Sequence, residues 1–257
     1  MNIGIICSDE RMIQVADNLS NDDTIIKIDQ DSDFLALPMM DAIIFPIHGI
    51  SEFGYLKYKD KEVHVPRLFW DMMDKQTIIF CGIKNKFLET LPQTKHYYLE
   101  DLVVIHENAL LTAEGILNEI IGCNCKSIYK QRIDVVGYGN CGKTIVDVLR
   151  NLQVDVRVIR RECDQTQLFI DLMHWNQCGD IIVNTSPSLK LNADNISSWS
   201  IKPVIIDIVT PPCMSQDTAN KLGIKLIRAQ NLPGRFACIS AGNIIANYVR
   251  RKLKNEK

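Results

Sequence analysis

The residues best placed to do chemistry stand in one run, Arg132-Ile-Asp-Val-Val-Gly-Tyr-Gly-Asn-Cys-Gly-Lys-Thr144. Apolar β-formers Ile133, Val135 and Val136 lead into Gly137, Gly139 and Gly142. Ile145, Val148, Leu149 and Leu152 then recur at helical spacing. The pattern is strand, glycine-rich turn, helix. Such a turn lets a phosphate approach the backbone, and the N–H groups of the helix start point at it. Two motifs share these residues. Gly137-x-Gly139-x-x-Gly142 is a dinucleotide fingerprint, and Gly137-x4-Gly142-Lys143-Thr144 also satisfies the pattern of a P-loop ATP or GTP hydrolase.

Three features elsewhere bear on the choice. The strand expected after the first helix, Val154–Ile159, ends in Arg160-Arg161. In the dinucleotide fold a residue about 20 positions past the glycine turn meets the adenosine ribose, where an acid selects NAD and arginine accommodates the 2′-phosphate of NADP. The two arginines favour NADP, with NAD as the alternative. Asn184-Thr185-Ser186-Pro187 ends a later strand, where loops approach the cofactor of such sheets. A P-loop enzyme needs a magnesium-binding aspartate after another apolar strand, and Val204-Ile-Ile-Asp207 offers one. In that reading Lys143 sits on the β- and γ-phosphates and Thr144 on magnesium. In the dinucleotide reading both only begin a helix.

The elements that position these residues alternate between strand and helix. Before the turn, strands are expected at Ile3–Ile6, Thr24–Ile28, Asp41–Ile47 and Thr77–Cys81, with strand-like pieces at Lys95–Leu99 and Leu102–His106. Helices are expected at Met12–Leu19, Pro66–Met73 and Glu107–Ile121, the last lining a cleft between two domains. After the turn come strands at Asp180–Asn184, Pro203–Val209 and Ile224–Ile227. The helices there are Gln165–Met173, Ser215–Leu222 and Ile239–Leu253, with His174-Trp175-Asn176 as the remnant of a third strand. The fold class is α/β with two open parallel-sheet domains. Residues 1–121 form a flavodoxin-like or Rossmann-like domain for substrate or partner, and residues 122–257 an NAD(P)-binding Rossmann domain.

Composition narrows the class. The chain has 257 residues, 46% hydrophobic and 23% charged, enough for two cores. A net charge of −2 gives no electrostatic case for nucleic acid or an anionic membrane. Nine cysteines without a repeated spacing read as reduced thiols in a cytoplasmic protein, and no metal site is expected. No run of about 18 apolar residues is present to span a membrane.

Several ordered stretches carry a resemblance. They are Thr77-Ile-Ile-Phe-Cys-Gly-Ile-Lys-Asn-Lys-Phe-Leu-Glu89, Leu111-Thr112-Ala113-Glu114-Gly115, Asn184-Thr185-Ser186-Pro187-Ser188, and Gly223-Ile-Lys-Leu-Ile-x-Ala229-x-x-Leu-Pro-Gly234 leading to Ala241-Gly242-Asn243. Taken together, they make the chain resemble the A subunit of dipicolinate synthase, from Asp9-x-Arg11 to about Val249. The resemblance implies an NADPH-linked oxidoreductase subunit that makes dipicolinic acid during sporulation, from the dihydrodipicolinate branch of lysine synthesis. It implies a flavoprotein-like partner, the B subunit of the synthase, and a homo-oligomer is expected. By position, Gly137, Gly139 and Gly142 become the pyrophosphate turn, the backbone at Asn140 and Cys141 faces the phosphates, and Thr185, Ser186 and Pro187 lie on the nicotinamide side.

A small cyclic dicarboxylate needs cations and N–H groups. Arg11 with Asp9, Thr112 and Arg235 are the substrate-side candidates, and Glu114 and His48 the candidate bases. The chain departs from the family pattern at Cys7-Ser8, at Pro211-Pro212 and at Ala237-Cys238-Ile239-Ser240. Those departures keep open a diverged sensor or scaffold that retains the cofactor fold without turnover.

Overall fold

Asn2–Ile6 forms strand β1, and Ile3, Ile5 and Ile6 are buried. The computed structural model describes residues 1–59, 61–191 and 193–256. Helix α1 (Glu10–Leu19) buries Met12, Val15, Ala16 and Leu19 on one stripe and takes Asp9 as its N-cap. Strands β2 (Thr24–Ile28) and β3 (Ala42–Ile44) follow. The polar stretch after Ser51 folds back as a separate antiparallel hairpin, β4 (Tyr55–Lys57) and β5 (Glu62–His64). Next come α2 (Arg67–Met72), β6 (Ile78–Cys81), α3 (Lys86–Glu89) and β7 (Lys95–Tyr97). The five-stranded sheet is wholly parallel, in the order β2-β1-β3-β6-β7. This is the flavodoxin-like order, with its switch point between β1 and β3.

Helix α4 runs over Leu102–Gly122. The strand expected at Leu102–His106 is its first turn. Asp101 decides this, because its carboxylate accepts the N–H groups of Val103 and Val104 at 3.1 and 3.3 Å and so starts the helix ahead of a β-branched run.

The second sheet is built from β8 (Arg132–Val136), α5 (Asn140–Asn151), β9 (Asp155–Arg160), β10 (Phe169–Asp171), β11 (Ile181–Asn184), α6 (Ala193–Ser197), β12 (Val204–Asp207), α7 (Gln216–Leu222) and β13 (Lys225–Arg228). All six strands are parallel, in the order β10-β9-β8-β11-β12-β13. Counted within the unit, that is the dinucleotide-binding order 3-2-1-4-5-6. The helix expected at Gln165–Met173 is not formed. Its place is taken by the three-residue β10 and a 3-10 turn over Leu172–His174, so the third strand precedes the His174-Trp175-Asn176 segment expected to hold it. This helix-free connection is fastened by Asp134, which is fully buried. Its carboxylate takes Arg157 Nε and Nη2, both at 2.8 Å, Trp175 Nε1 at 2.9 Å and the Gly179 N–H at 2.7 Å. Trp175 also lies against Trp199, ring centroids 5.0 Å apart.

The short α8 (Leu232–Phe236) and the long α9 (Cys238–Asn255) complete the chain. Two compact units result, Met1–Asn108 with Ala237–Lys257, and Ala109–Phe236. This division differs from the expected boundary after residue 121 in two ways. Residues 109–122 of α4 belong with the second unit, where Ala113, Ile116 and Ile120 join its core. Helix α9 returns to the first unit. It buries Ile245, Tyr248, Val249 and Leu253 there, at about 2 kcal/mol for each such side chain. Gly242 permits the approach to α1, since a Cβ at that position would stand 2.6 Å from Gln14 Cβ and 2.9 Å from the Arg11 carbonyl oxygen.

Candidate dinucleotide-binding site

β8 is buried from Ile133 onward and delivers the chain to Gly137 at the carboxyl end of the second sheet. The Gly137 N–H is held by the Ile159 carbonyl at 2.9 Å, so the turn is tied to the end of β9. The three glycines divide the work. Gly137 has φ +97, and a Cβ there would stand 2.6 Å from Thr185 Oγ1. A Cβ on Gly142 would strike the Gly137 carbonyl oxygen, so this glycine lets helix and strand close on each other. A Cβ on Gly139 would meet nothing within 4 Å. Gly139 is the N-cap of α5, and no side chain caps that helix. An open space therefore faces a helix start whose backbone donors at Asn140, Cys141 and Gly142 precede the first intrahelical bonds. A tight turn, an open approach and a close packing contact are the three needs of a pyrophosphate on this fold, so the residues fit a dinucleotide.

The other expected residues gather around this turn to different degrees. Thr185 packs against it, donating from Oγ1 to the Val136 carbonyl at 2.9 Å. Ser186 follows, its N–H on Asn184 Oδ1 at 3.0 Å and its hydroxyl 2.9 Å from that of Ser188, while Pro187 is exposed. Cys141 is half-buried, and burial pushes its thiol up while a hydrogen bond with Thr112 pulls it down. Thr112, buried on α4, thus adjoins the helix start. Arg160 ends β9 and Arg161 follows it, both exposed, and neither has an ion-pair partner among the described residues.

The P-loop residues are otherwise engaged. Lys143 Nζ lies over the Tyr138 ring, 5.9 Å from its centroid. Thr144 Oγ1 donates back to the Asn140 carbonyl at 2.9 Å. Asp207 is fully buried and accepts from Asn184 Nδ2 at 3.2 Å, Val209 N–H at 3.1 Å and Cys213 N–H at 2.8 Å. Arg228 Nη1 stands 2.7 Å from it as a charge contact outside aligned hydrogen-bond geometry. That carboxylate fixes the loops after β11 and β12 and has no oxygen left for a metal.

Glu114 and Arg235 are exposed, and Arg235 pairs with Glu119 at 3.2 Å. In the first unit, Asp9 accepts the Met12 N–H at 3.1 Å and Arg11 Nη2 at 2.8 Å. Arg11 is 4% exposed, and its Nε and Nη1 have no hydrogen-bond partner among the described residues. Asp9 is the more open member of the pair, with 30% of its side chain exposed. His48 is exposed in the turn after β3, at the other side of the switch point. Among the described residues no three His, Cys, Asp or Glu side chains are grouped to hold a metal, and no helix is long and apolar enough to cross a membrane.

One buried acid next to the arginine segment was not singled out by the sequence. Asp171, at the end of β10, is 8% exposed and accepts the N–H groups of Met173 at 2.8 Å and Cys163 at 3.2 Å. These donors hold its carboxyl below the usual carboxylate range. Its only signal in the sequence is an acid directly after the apolar pair Phe169-Ile170.

The two parallel sheets and the glycine turn define an α/β protein with a Rossmann-type fold. Comparison with known proteins sharpens this. The chain is similar to the A subunit of dipicolinate synthase from Bacillus subtilis, 28% identical over 240 residues, which is 86% of this chain and 80% of that protein. A crystal structure of the A subunit of dipicolinate synthase from Bacillus halodurans superposes with TM-score 0.83 at 22% identity, covering 98% of this chain and 97% of that one. The NAD complex of a D-isomer specific 2-hydroxyacid dehydrogenase from Lactobacillus delbrueckii ssp. bulgaricus shares the fold with TM-score 0.61 at 11% identity, covering 100% and 98%. No family model matches the chain. The chain thus shares sequence with the A subunit of dipicolinate synthase and its fold with D-2-hydroxyacid dehydrogenases.

Proposed function

We propose that the chain is an NADPH-linked oxidoreductase subunit of dipicolinate synthase type, acting in the cytoplasm in dipicolinic acid formation during sporulation. One observation carries this reading: an uncapped helix start after the central strand of a 3-2-1-4-5-6 sheet, with open space at Gly139. Gly137, Gly139 and Gly142, with the backbone at Asn140 and Cys141, bind the pyrophosphate. Arg160 and Arg161 meet the 2′-phosphate, which makes NADP the coenzyme in place of NAD. Thr185, Ser186 and Pro187 border the nicotinamide.

Bound to this turn, the coenzyme would supply the hydride acceptor for converting a cyclic dihydrodicarboxylate to an aromatic pyridine dicarboxylate. The chain's own residues do the rest. Arg11, held against Asp9, together with Thr112 and Arg235, orients the dicarboxylate. The Glu114 carboxylate or the His48 imidazole takes the ring proton. The partner is the flavoprotein-like B subunit, and the chain itself forms a homo-oligomer.

Turnover of dihydrodipicolinate with NADP, in the presence of the B subunit, tests the reading. Formation of the pyridine dicarboxylate is the expected result. NADP binding without product would leave a sensor or scaffold, the role suggested by Pro211-Pro212 and by Ile239, which is 61% exposed. The P-loop reading predicts magnesium-dependent ATP or GTP hydrolysis that Lys143→Ala abolishes, and none is expected, given the partners of Lys143 and Asp207.

A further inference from the structure

Asp171 and Arg160 are partners in register on the neighbouring parallel strands β10 and β9. Such neighbours share a face of the sheet at close range, so an acid and an arginine placed this way are set up to form an ion pair. They do not form one. Arg160 is exposed and has no carboxylate partner among the described residues, and Asp171 is turned inward onto main-chain donors. Its Oδ2 accepts Cys163 N–H at 3.2 Å and its Oδ1 accepts Met173 N–H at 2.8 Å. His174 is the nearest imidazole, with Nδ1 3.6 Å from Oδ1.

The loop held in this way is Arg160-Arg161-Glu162-Cys163. Glu162 has φ +51, a left-handed conformation that a non-glycine residue keeps only when its surroundings hold it there. On the other side of the same loop, the Ile159 carbonyl binds the Gly137 N–H of the glycine turn. One end of the arginine segment is therefore fixed to the pyrophosphate turn and the other to Asp171.

We propose that Asp171 is a positioning residue for coenzyme choice: it spends its charge on the backbone of the loop, fixes Arg160 and Arg161 beside the glycine turn, and leaves both guanidinium groups unpaired for a ribose 2′-phosphate. This rests on the NADP reading of the site. A bidentate guanidinium must be placed to within a fraction of an ångström to use both donors on a phosphate, so a loosened loop loses that contact first. Binding of the pyrophosphate and of the rest of the dinucleotide does not pass through Asp171.

The test measures Kd for NADPH and for NADH on the full chain by calorimetry, with circular dichroism as the check of folding. In the double variant Arg160→Ala, Arg161→Ala the Kd for NADPH should rise about tenfold or more, with NADH changed less than about twofold. In Asp171→Asn, which keeps the size and loses an acceptor, the Kd for NADPH should rise about fivefold, again with NADH nearly constant. Should that variant fail to fold, Asp171→Glu keeps the charge, displaces the oxygens and reads the same ratio. Unchanged NADPH binding in the Asp171 variant beside a weakened arginine variant overturns the role of Asp171 and leaves the coenzyme reading intact. Equal weakening of NADPH and NADH makes Asp171 merely structural. Tighter NADPH binding would mean that the carboxylate repels the phosphate directly. Unchanged NADPH binding in the arginine variant overturns the NADP reading, and the role of Asp171 with it.

Discussion

The molecule contains the same connection twice, a central parallel strand that turns into a helix at the carboxyl end of its sheet, and the two copies are finished in opposite ways. After β1 the chain supplies its own anion: Asp9 caps α1 through the Met12 N–H and is itself held by Arg11. After β8 it supplies none, because Gly139 caps α5 without a side chain and a Cβ there would meet nothing within 4 Å. A helix start attracts negative charge wherever it occurs. Filling the position from within gives a stable turn, and leaving it empty gives a place for a phosphate. Fold topology alone therefore does not tell which of two such sheets binds a dinucleotide; the chemistry of the four or so residues after the strand does.

The contrast can be broken most directly by giving the second turn a cap like the first. Gly139→Asp should weaken dinucleotide binding about 100-fold, since a carboxylate would occupy the phosphate position, while the melting temperature stays nearly constant because the Cβ has room. Calorimetry beside a thermal melt separates the two effects, and unaltered affinity would place the pyrophosphate elsewhere. The converse change, Asp9→Ala, removes a cap and strands the buried Arg11 guanidinium. A loss of about 2 kcal/mol in a urea unfolding curve is expected, with dinucleotide affinity unaltered. An affinity change of tenfold would mean that the first turn also serves the coenzyme.

Each turn also carries a cysteine, which offers a gentler probe. Burial pushes the Cys7 thiol up to about 11 and raises Cys141 as well. A raised thiol pKa means less thiolate at a given pH, so at pH 8 a group titrating near 11 is about one part in 1,000 thiolate and reacts slowly. Exposed Cys125 should be alkylated first. Saturating NADPH should slow labelling of Cys141 about threefold and leave Cys7 unaffected, as peptide mapping would report. Equal protection of both would blur the distinction between the two turns.

Both parallel sheets and the glycine turn were legible in the sequence, because apolar β-branched runs ending in glycine or a helix cap leave few alternatives. Three features were not. Leu102-Val-Val-Ile105 looks like a strand by composition, and only the capping contact from Asp101 turns it into helix. Gln165–Met173, expected as a helix, contains only the three-residue β10 and the start of a 3-10 turn, held in place by Asp171 and by the remote acid Asp134. The return of α9 to α1 depends on a fit between Gly242 and Gln14, which no local pattern announces. At the site, Gly137, Gly139 and Gly142 could be read directly from their spacing. The burial of Arg11 behind Asp9 could not, since exposure is decided by neighbours far along the chain.

The division of the chain also sets an order of assembly. The dinucleotide-type unit is one unbroken stretch, complete once Phe236 has been made, whereas the first sheet lacks Ile245, Tyr248 and Val249 until α9 follows. On the ribosome the later-encoded unit therefore closes its core before the earlier one can. Strands β1 to β7 are synthesised first and sealed last. A chain clipped or stalled ahead of α9 would pair an intact second unit with an open apolar face on the first, which is the kind of surface that chaperones hold and proteases remove.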